Sequence, residues 1–321
     1  MQTTILVAVD FTEEQRNTLE LAAQSAEFRY INPKEITEKD ITEADILVGN
    51  PSPELLRHAK NLKLLQLMSA GTNGYTKEVM PEGCILACAT GTYGLAISEY
   101  MLACVLQMYN HLAAYHDYQK TGVWRRVGFA KSIYGSTALI VGLGDIGGEF
   151  AKRIKALGGY TIGVRREDLT KPDYLDEIHL NEDLDQLLPR ADIVALSLPA
   201  TPLTYHMIDA KRLSLMKDDA VLVNVGRGTA IDTDALCETL TNGRLLGAAL
   251  DVTDPEPLPP EHPLWKARGA HITPHISGGG TLPETKNRLA RHCAANIKAF
   301  LEGKELKSVV DLETGYRKLN H

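Results

Sequence analysis

Residues 138–148 read ALIVGLGDIGG, the most informative segment of the sequence. Gly142, Gly144 and Gly147 form the pattern G-x-G-x-x-G directly after an apolar run, and the apolar-periodic stretch IGGEFAKRIKALGG follows. A strand, a glycine turn and a helix in this order are typical of a loop that binds the pyrophosphate of a dinucleotide. A glycine-rich turn that binds no ligand is the alternative.

Each glycine has a separate predicted role in that loop. Gly142 permits the tight turn, Gly144 lets the backbone approach the pyrophosphate, and Gly147 allows the helix to pack closely on the strand. The first N–H groups of the helix then point at the anion.

Short apolar runs alternate with helical patterns along the rest of the chain. Most of the runs lack period-two alternation, as in AVLVNV (220–225), which is typical of strands covered on both faces in a parallel sheet. The sequence therefore predicts an α/β fold of doubly wound parallel sheets. The predicted strands are 5–9, 46–48, 64–68, 85–89, 138–141, 161–164, 193–198, 220–225, 246–252 and 271–275.

Two further segments organise the chain. SEYMLACVLQMYNHLAAYH (98–116) predicts one long helix, and a polar, irregular segment (120–136) separates it from the second series of strands and helices. The last helix is predicted to begin with a capping box formed by Thr281 and Glu284.

Composition limits the class of protein. The 321 residues are 44% hydrophobic and 23% charged, which is ordinary for a globular protein of two domains. A net charge of −7 argues against nucleic acid or an anionic membrane as the main partner. Five cysteines fit no metal spacing, so we expect reduced, packed thiols in a cytoplasmic protein. No stretch approaches the ~20 apolar residues of a membrane span.

A pair of arginines follows the second strand of the glycine-loop unit, in GYTIGVRRED (159–168). Arg165 and Arg166 stand where an acidic residue would bind the ribose 2′-hydroxyl of NAD. Guanidinium groups suit a 2′-phosphate, so the sequence favours NADP(H). Two alternatives stay open: Glu167 as the ribose acid of an NAD enzyme, and a solvated turn without a role in binding.

Three later strands end in polar residues that could carry chemistry. Arg227 lies between Gly226 and Gly228, which we expect to leave room for a ligand, and its guanidinium could bind a substrate carboxylate. His275 could move a proton to or from a substrate oxygen. His271 is about 13 Å away along the same run, at ~3.3 Å per residue, and so at the opposite end.

A carboxylate beside His275 would favour the imidazolium and fix its tautomer. Glu256 is the first choice and Asp254 the alternative. HExxH, paired CxxC and G-x-S-x-G motifs are missing from the sequence, which predicts neither a metal site nor a serine hydrolase. One arginine, one histidine and one carboxylate beside a nicotinamide site indicate hydride transfer to a keto acid.

Taken in order, these motifs resemble those of the D-isomer-specific 2-hydroxyacid dehydrogenases. The resemblance covers almost the whole chain and is carried by LKLLQLMSAGTNG (62–74), VGLGDIG, LPATPLTYHMI, LMKDDAVLVNVGRG, GAALDVTDPEPLP and ITPHISGG. It implies a flavodoxin-like catalytic domain (1–98 plus 283–321) and a Rossmann coenzyme domain (99–282), with the active site in the cleft and a homodimer formed through the coenzyme domain. The implied reaction is the reduction of a 2-keto acid to the D-2-hydroxy acid. The first domain shows no obvious basic cluster for a phosphorylated substrate, which favours small acids such as glyoxylate, hydroxypyruvate or pyruvate.

The resemblance also implies roles for single residues. Arg227 matches the substrate-binding arginine, Glu256 and His275 match the catalytic glutamate and histidine, and Asp251 matches an aspartate near the nicotinamide carboxamide. Backbone N–H groups of Ser69, Ala70 and Gly71 are expected to bind the substrate carboxylate. Basic residues like Arg165 and Arg166 are found in NADP-preferring members. The other coenzyme-binding residues expected are Asp145, Ile146, Leu198, Pro199, Thr204, Val225, Gly226 and Gly278.

Three other assignments are considered. An NAD-dependent member of the same family is one. A relative acting on another substrate, such as formate, would carry glutamine where Glu256 stands. A nucleotide-sensing corepressor would bind the dinucleotide with negligible turnover.

Overall fold

The computed structural model describes residues 2–72, 74–278, 280 and 282–313. The chain divides into two compact units, Met1–Tyr93 with Gly280–His321, and Gly94–Gly279. The boundaries expected from the sequence, 98/99 and 282/283, lie a few residues further along the chain.

The regular elements are as follows. The strands are β1 (Thr4–Val7), β2 (Glu27–Tyr30), β3 (Ile46–Val48), β4 (Leu64–Gln66), β5 (Ile85–Ala87), β6 (Thr137–Val141), β7 (Tyr160–Arg165), β8 (Glu177–Leu180), β9 (Ile193–Leu196), β10 (Val221–Asn224), β11 (Gly247–Leu250) and β12 (Ala270–Ile272). The helices are α1 (Glu13–Ala22), α2 (Glu38–Thr42), α3 (Pro53–Leu56), α4 (Gly94–Tyr109), α5 (Leu112–Thr121), α6 (Asp145–Ala156), α7 (Leu184–Leu187), α8 (Ala210–Leu215), α9 (Thr233–Thr241) and α10 (Pro283–Leu301).

The first unit contains a parallel sheet with the strand order β2-β1-β3-β4-β5. Its central strand β3 is fully buried because helices cover both faces of the sheet. One face packs on α1 and α10 through Leu19, Cys293 and Ile297. This order is that of flavodoxin-like folds.

The second unit contains a seven-stranded parallel sheet with the order β12-β11-β10-β9-β6-β7-β8. The strand order reverses between β6 and β9, which is the topological switch point of a Rossmann fold. Strands β9, β10 and β11 are buried along their whole length. The predicted class, two doubly wound parallel-sheet domains, is confirmed.

The structure differs from the sequence-based expectation at several elements. Strands β2 and β8 were not predicted, because EFRY and EIHL are partly exposed edge strands with polar residues. The run predicted to continue to His275 ends at Ile272, two residues before Pro274, which has no N–H for a sheet.

The long helix predicted for residues 98–116 is two helices. It begins earlier, at Gly94, and breaks after Tyr109, where His111 adopts a left-handed conformation with φ of 55°. The Asn110 side chain donates to the carbonyl of Leu106 at this break, in competition with the backbone ladder.

The start of the last helix also differs. The predicted cap, Thr281, lies outside the described residues. Leu282 occupies the N-cap position of α10 without a side-chain capping bond, and Pro283 is the first helical residue.

The described residues show neither a membrane-spanning helix nor a metal-binding cluster. None of their helices has the length and apolarity needed to cross a bilayer. The five cysteines are free thiols, and all of them are buried. Within the same ranges, no group of three or more histidine, cysteine or acidic side chains could hold a metal ion.

Candidate active site

The glycine loop lies at the carboxyl end of β6 and is shaped by close backbone contacts. Gly142 has φ of 95°, and its N–H donates to the carbonyl of Val164 at 2.9 Å. A Cβ atom on Gly147 would lie 2.0 Å from the carbonyl oxygen of Gly142, so only glycine fits there. A Cβ atom on Gly144 would meet no atom of the described residues within 4 Å. Fold packing therefore requires Gly142 and Gly147, whereas the space at Gly144 is open.

Helix α6 starts at this loop with Asp145 and Ile146 in its first turn. The Asp145 carboxylate accepts the backbone N–H of Gly94, at the start of α4, at 2.7 Å. A Cβ atom on Gly94 would lie 2.5 Å from that carboxylate. The Asp145 side chain is thus hydrogen-bonded to α4. Asp145 and Ile146 can bind an anion only through their backbone N–H groups at the helix N-terminus.

Arg165 is the last residue of β7. It directly follows Val164, whose carbonyl accepts the Gly142 N–H. Its Nη1 donates to Asp168 Oδ2 at 2.7 Å, while its Nε is buried without a hydrogen-bond partner in the described part of the chain. Arg166 pairs with Glu167 at 2.6 Å. Hydrogen bonds from Thr170, together with the charge of Arg165, lower the pKa of the exposed Asp168 carboxyl.

The segments after β9 and β10 pack against each other. A Cβ atom on Gly226 would lie 2.5 Å from the backbone nitrogen of Leu198. Val225 is buried, and Thr204 is buried with its hydroxyl donating to the carbonyl of Pro199 at 2.7 Å. The predicted coenzyme-binding residues of these segments therefore lie along one sheet edge, with Thr204 shaping the turn.

The two glycines around Arg227 make room for protein rather than for a ligand, which corrects the expectation from the sequence. Gly226 accommodates Leu198, and a Cβ atom on Gly228 would lie 1.9 Å from the carbonyl oxygen of Thr253. The close passage at Gly228 brings the segment that contains Glu256 over the end of β10.

Asn224 is a residue of this turn that the sequence reasoning missed. It is fully buried; its Nδ2 donates to the carbonyl of Arg227 at 2.9 Å, and its Oδ1 accepts the N–H of Gly226 at 3.0 Å. A polar residue inside the apolar run AVLVNV was the available signal, because a buried amide needs partners.

His275, Glu256 and Arg227 come together at this edge. His275 Nδ1 lies 2.7 Å from Glu256 Oε1, so Glu256 rather than Asp254 is the partner of the ring. Burial lowers the pKa of Arg227, and the negative charge of Glu256 opposes that shift. His275 itself has φ of 52°, a left-handed conformation that is uncommon outside glycine.

His271 is separate from this group, as expected. It lies within β12, where its ring is near Gln107 of α4, and burial lowers its pKa.

Asp251 follows β11 and is 1% exposed. Its Oδ1 accepts the Thr273 hydroxyl at 2.6 Å and the N–H of Ile276 at 2.8 Å, and its Oδ2 accepts the N–H of Ser277 at 2.9 Å. The carboxylate thus organises the turn that carries His275 and leads to Gly278, a role that the sequence did not suggest.

In the first unit, the segment Ser69, Ala70 and Gly71 follows β4. Ser69 Oγ donates to the carbonyl of Gly71 at 2.7 Å and accepts from Asn50 Nδ2 at 2.9 Å. Asn50 Oδ1 also accepts the N–H of Met68 at 2.8 Å. This segment therefore has a defined shape at the carboxyl edge of its sheet.

The residues present fit a dinucleotide coenzyme. The open face at Gly144 and the N-terminus of α6 suit a pyrophosphate. The buried Nε of Arg165, which has no hydrogen-bond partner among the described residues, lies where the adenosine ribose is expected, at the end of the next strand. The crevice between β6 and β9 is the switch point at which such folds bind nucleotides.

Comparison with known proteins agrees with this arrangement. Residues 102–277 match the family model described as D-isomer specific 2-hydroxyacid dehydrogenase, NAD binding domain. A glyoxylate reductase of Thermofilum pendens is 32% identical over 277 residues, which cover 84% of this chain and 80% of that one.

Two solved structures are similar over nearly the whole chain. A D-isomer specific 2-hydroxyacid dehydrogenase family protein from Aeromonas salmonicida has 30% identity and a TM-score of 0.86, covering 97% of this chain and all of that one. The NADPH-dependent glyoxylate/hydroxypyruvate reductase of Sinorhizobium meliloti, in complex with NADP and sulfate, has 26% identity and a TM-score of 0.83, covering 98% of this chain and all of that one.

The chain belongs to the D-isomer specific 2-hydroxyacid dehydrogenase family. It is accordingly an NAD(P)-dependent oxidoreductase that acts on the CH–OH group of a 2-hydroxy acid or, in reverse, on a 2-keto acid.

The glycine loop gives a direct test of coenzyme binding. We expect Gly144→Ala to leave the free energy of unfolding nearly unchanged, because the added Cβ lies more than 4 Å from every atom in the described part of the chain. The same change should weaken coenzyme binding at least tenfold by filling the space for the pyrophosphate. Gly147→Ala, the matched control, should instead destabilise the fold by roughly 1–3 kcal/mol. Urea unfolding and titration calorimetry would measure both, and unchanged coenzyme affinity in Gly144→Ala would contradict this assignment.

Proposed function

We propose that this enzyme reduces a small 2-keto acid to the D-2-hydroxy acid with NADPH, using His275 as the acid. The observation that carries the proposal is the grouping of Arg227, Glu256 and His275, with 2.7 Å between the Glu256 carboxylate and the imidazole. These three groups supply an anion clamp, a proton donor and an orienting charge.

Each side chain has a defined task in this proposal. Arg227 binds the substrate carboxylate, and the low exposure of its guanidinium strengthens that attraction because less water screens the charges. Glu256 accepts from Nδ1 of His275, which fixes the ring and leaves Nε2 to face the keto oxygen. His275 donates its proton to that oxygen as negative charge develops there, and Arg227 stabilises the same charge.

Bound NADPH would supply the hydride to the keto carbon. The chain's own contribution to holding it is the backbone around Gly144 and the N-terminus of α6, with Arg165 for the 2′-phosphate. Binding of the substrate carboxylate by the N–H groups of Ser69, Ala70 and Gly71 stays a prediction.

Small substrates are favoured over phosphorylated ones. The Thermofilum pendens relative is named a glyoxylate reductase, and the Sinorhizobium meliloti structure is of a glyoxylate/hydroxypyruvate reductase. The sequence of the first unit contains no obvious basic cluster for a phosphorylated substrate. A panel of glyoxylate, hydroxypyruvate and pyruvate, each assayed with NADH and NADPH, tests the proposal; a nucleotide sensor would bind coenzyme but reduce none of them.

Removing the proton donor tests the chemistry. We expect His275→Gln to lower kcat by about 10²–10⁴, because general acid catalysis contributes rate factors of that size. His271→Gln, in the nearby strand β12, is the matched control and should retain near-normal kcat. Steady-state kinetics would measure both variants, and full turnover in His275→Gln would contradict the assignment of His275 as the proton donor.

The coenzyme preference rests on Arg165. Its guanidinium ends the strand beside the glycine loop, and its Nε has no protein partner in the described ranges. The Sinorhizobium meliloti structure contains NADP, which supports the same preference. In this proposal the 2′-phosphate takes over the Nη1 hydrogen bond that Asp168 now accepts.

This exchange predicts opposite effects from two substitutions. Arg165→Ala should weaken NADPH binding at least tenfold and change NADH binding little, because only NADPH has the 2′-phosphate. Asp168→Asn should tighten NADPH binding a few-fold, since it removes the competing carboxylate. Dissociation constants for both coenzymes would check this; NADPH affinity that is unchanged in Arg165→Ala would mean that the arginine does not bind the phosphate.

We also propose a cytoplasmic homodimer formed through the second unit. Large apolar side chains are exposed in and after α5, and free thiols suit a reducing compartment. The exposed set comprises Leu112, Tyr115, Val123, Trp124, Phe129 and Tyr134.

The dimer has a simple test. Light scattering should give twice the chain mass of 35.2 kDa, and Trp124→Ser with Phe129→Ser should shift the protein toward the monomer, because both substitutions remove exposed apolar area. Leu169→Ser, an exposed apolar residue elsewhere in the unit, is the control and should leave the mass unchanged. A wild-type mass of one chain would refute the dimer.

A further inference from the structure

A chain of hydrogen bonds runs from helix α4 to the turn that carries His275. The Tyr100 hydroxyl lies 2.6 Å from Thr273 Oγ1, which lies 2.6 Å from Oδ1 of the buried Asp251. The same carboxylate accepts the N–H groups of Ile276 and Ser277, directly after His275. The backbone N–H of His275 donates to the carbonyl of Asp251 at 2.9 Å.

The directions of these bonds follow from the number of protons. A carboxylate only accepts, so the single hydroxyl proton of Thr273 goes to Asp251. Tyr100 must then be the donor to Thr273. Burial, the largest cause, raises the pKa of Tyr100, which keeps this phenol proton in place.

The turn needs such support because of its backbone. His275 has φ of 52°, and a non-glycine residue keeps this strained conformation only when surrounding contacts offset the strain. Pro274 just before it has no N–H to contribute. Asp251 holds the turn from both sides of His275, through Thr273 before it and through Ile276 and Ser277 after it.

We propose that Thr273, supported by Tyr100, is a positioning residue that sets the orientation of His275 for proton transfer. The inference rests on the proposed acid role of His275 and adds two residues on different elements to it. Loss of the Thr273 hydroxyl removes one of the three side-chain bonds that tie the turn to the Asp251 carboxylate, while the backbone bonds of Thr273 and His275 remain, so the turn is held less firmly and the imidazole is less often oriented toward the substrate oxygen. Neither Thr273 nor Tyr100 is itself a proposed coenzyme- or substrate-binding group, and without the Thr273 hydroxyl the Asp251 carboxylate still accepts the N–H groups of Ile276 and Ser277, so coenzyme and substrate binding should change little.

The test is a kinetic comparison of Thr273→Val, which keeps the shape and removes the hydroxyl, with Thr273→Ser, which keeps the hydroxyl. We expect Thr273→Val to lower kcat about tenfold, the effect of losing one hydrogen bond to a charged group, with KM and coenzyme affinity within about threefold. Thr273→Ser should restore most of the rate.

Thr161→Val is the matched control. Thr161 is a buried threonine of β7 in the same sheet, and its hydroxyl lies 3.1 Å from the Asp176 carboxylate. The Thr161→Val variant should have a lower free energy of unfolding but an unchanged kcat.

A double variant separates positioning from general damage. In a His275→Gln background, Thr273→Val should have no further effect on kcat, because the group it positions is gone. An equal loss in both backgrounds, or an unchanged kcat in the single variant, overturns the proposal. If His275→Gln itself keeps full turnover, the proposed function fails instead.

Tyr100→Phe gives an independent reading if Thr273→Val does not fold. This variant removes one oxygen and leaves Thr273 bound to Asp251, so we expect a smaller fall in kcat, about threefold. Unchanged kcat in Tyr100→Phe would then count against the proposal.

Discussion

The common direction of the seven strands in the second unit is the constraint on which the site depends. Because every strand is parallel, each carboxyl end lies at the same edge of the sheet, and residues that are far apart in sequence meet there. Gly142, Arg227 and His275 follow β6, β10 and β12 in this way. Because both faces of the sheet are covered, its strands are continuous apolar runs, and these runs allow the fold to be recognised in the sequence.

Much of the fold and part of the site could be predicted from the sequence. Buried strands such as β9 and β10 are recognisable because burial on both faces demands continuous apolar residues. Edge strand β8 was missed because its stability comes from its neighbours rather than from its own composition. The break at His111 was missed because a residue in the left-handed conformation leaves no signal in the apolar periodicity of the sequence.

Within the site, residue types were easier to predict than their partners. Sequence spacing gave Glu256 only a modest advantage over Asp254 as the partner of His275, because that choice depends on the path of the chain past Gly228. The bond between Asp145 and Gly94 joins residues 51 positions apart and has no local signature. The place of Asp251 beside the nicotinamide stays a prediction, whereas the three protein donors that its carboxylate accepts could not be foreseen from the sequence.

The two kinds of glycine in the phosphate loop carry different information about the history of the enzyme. Gly147 is demanded by the polypeptide itself, since a methyl group there would collide with a neighbouring carbonyl. Gly144 meets no such obstacle, so any demand for it comes from what binds in front of it. A descendant that lost its redox activity could therefore accept other residues at position 144 but would still need glycine at position 147. The residue at position 144 would then show whether natural selection still acts on nucleotide binding.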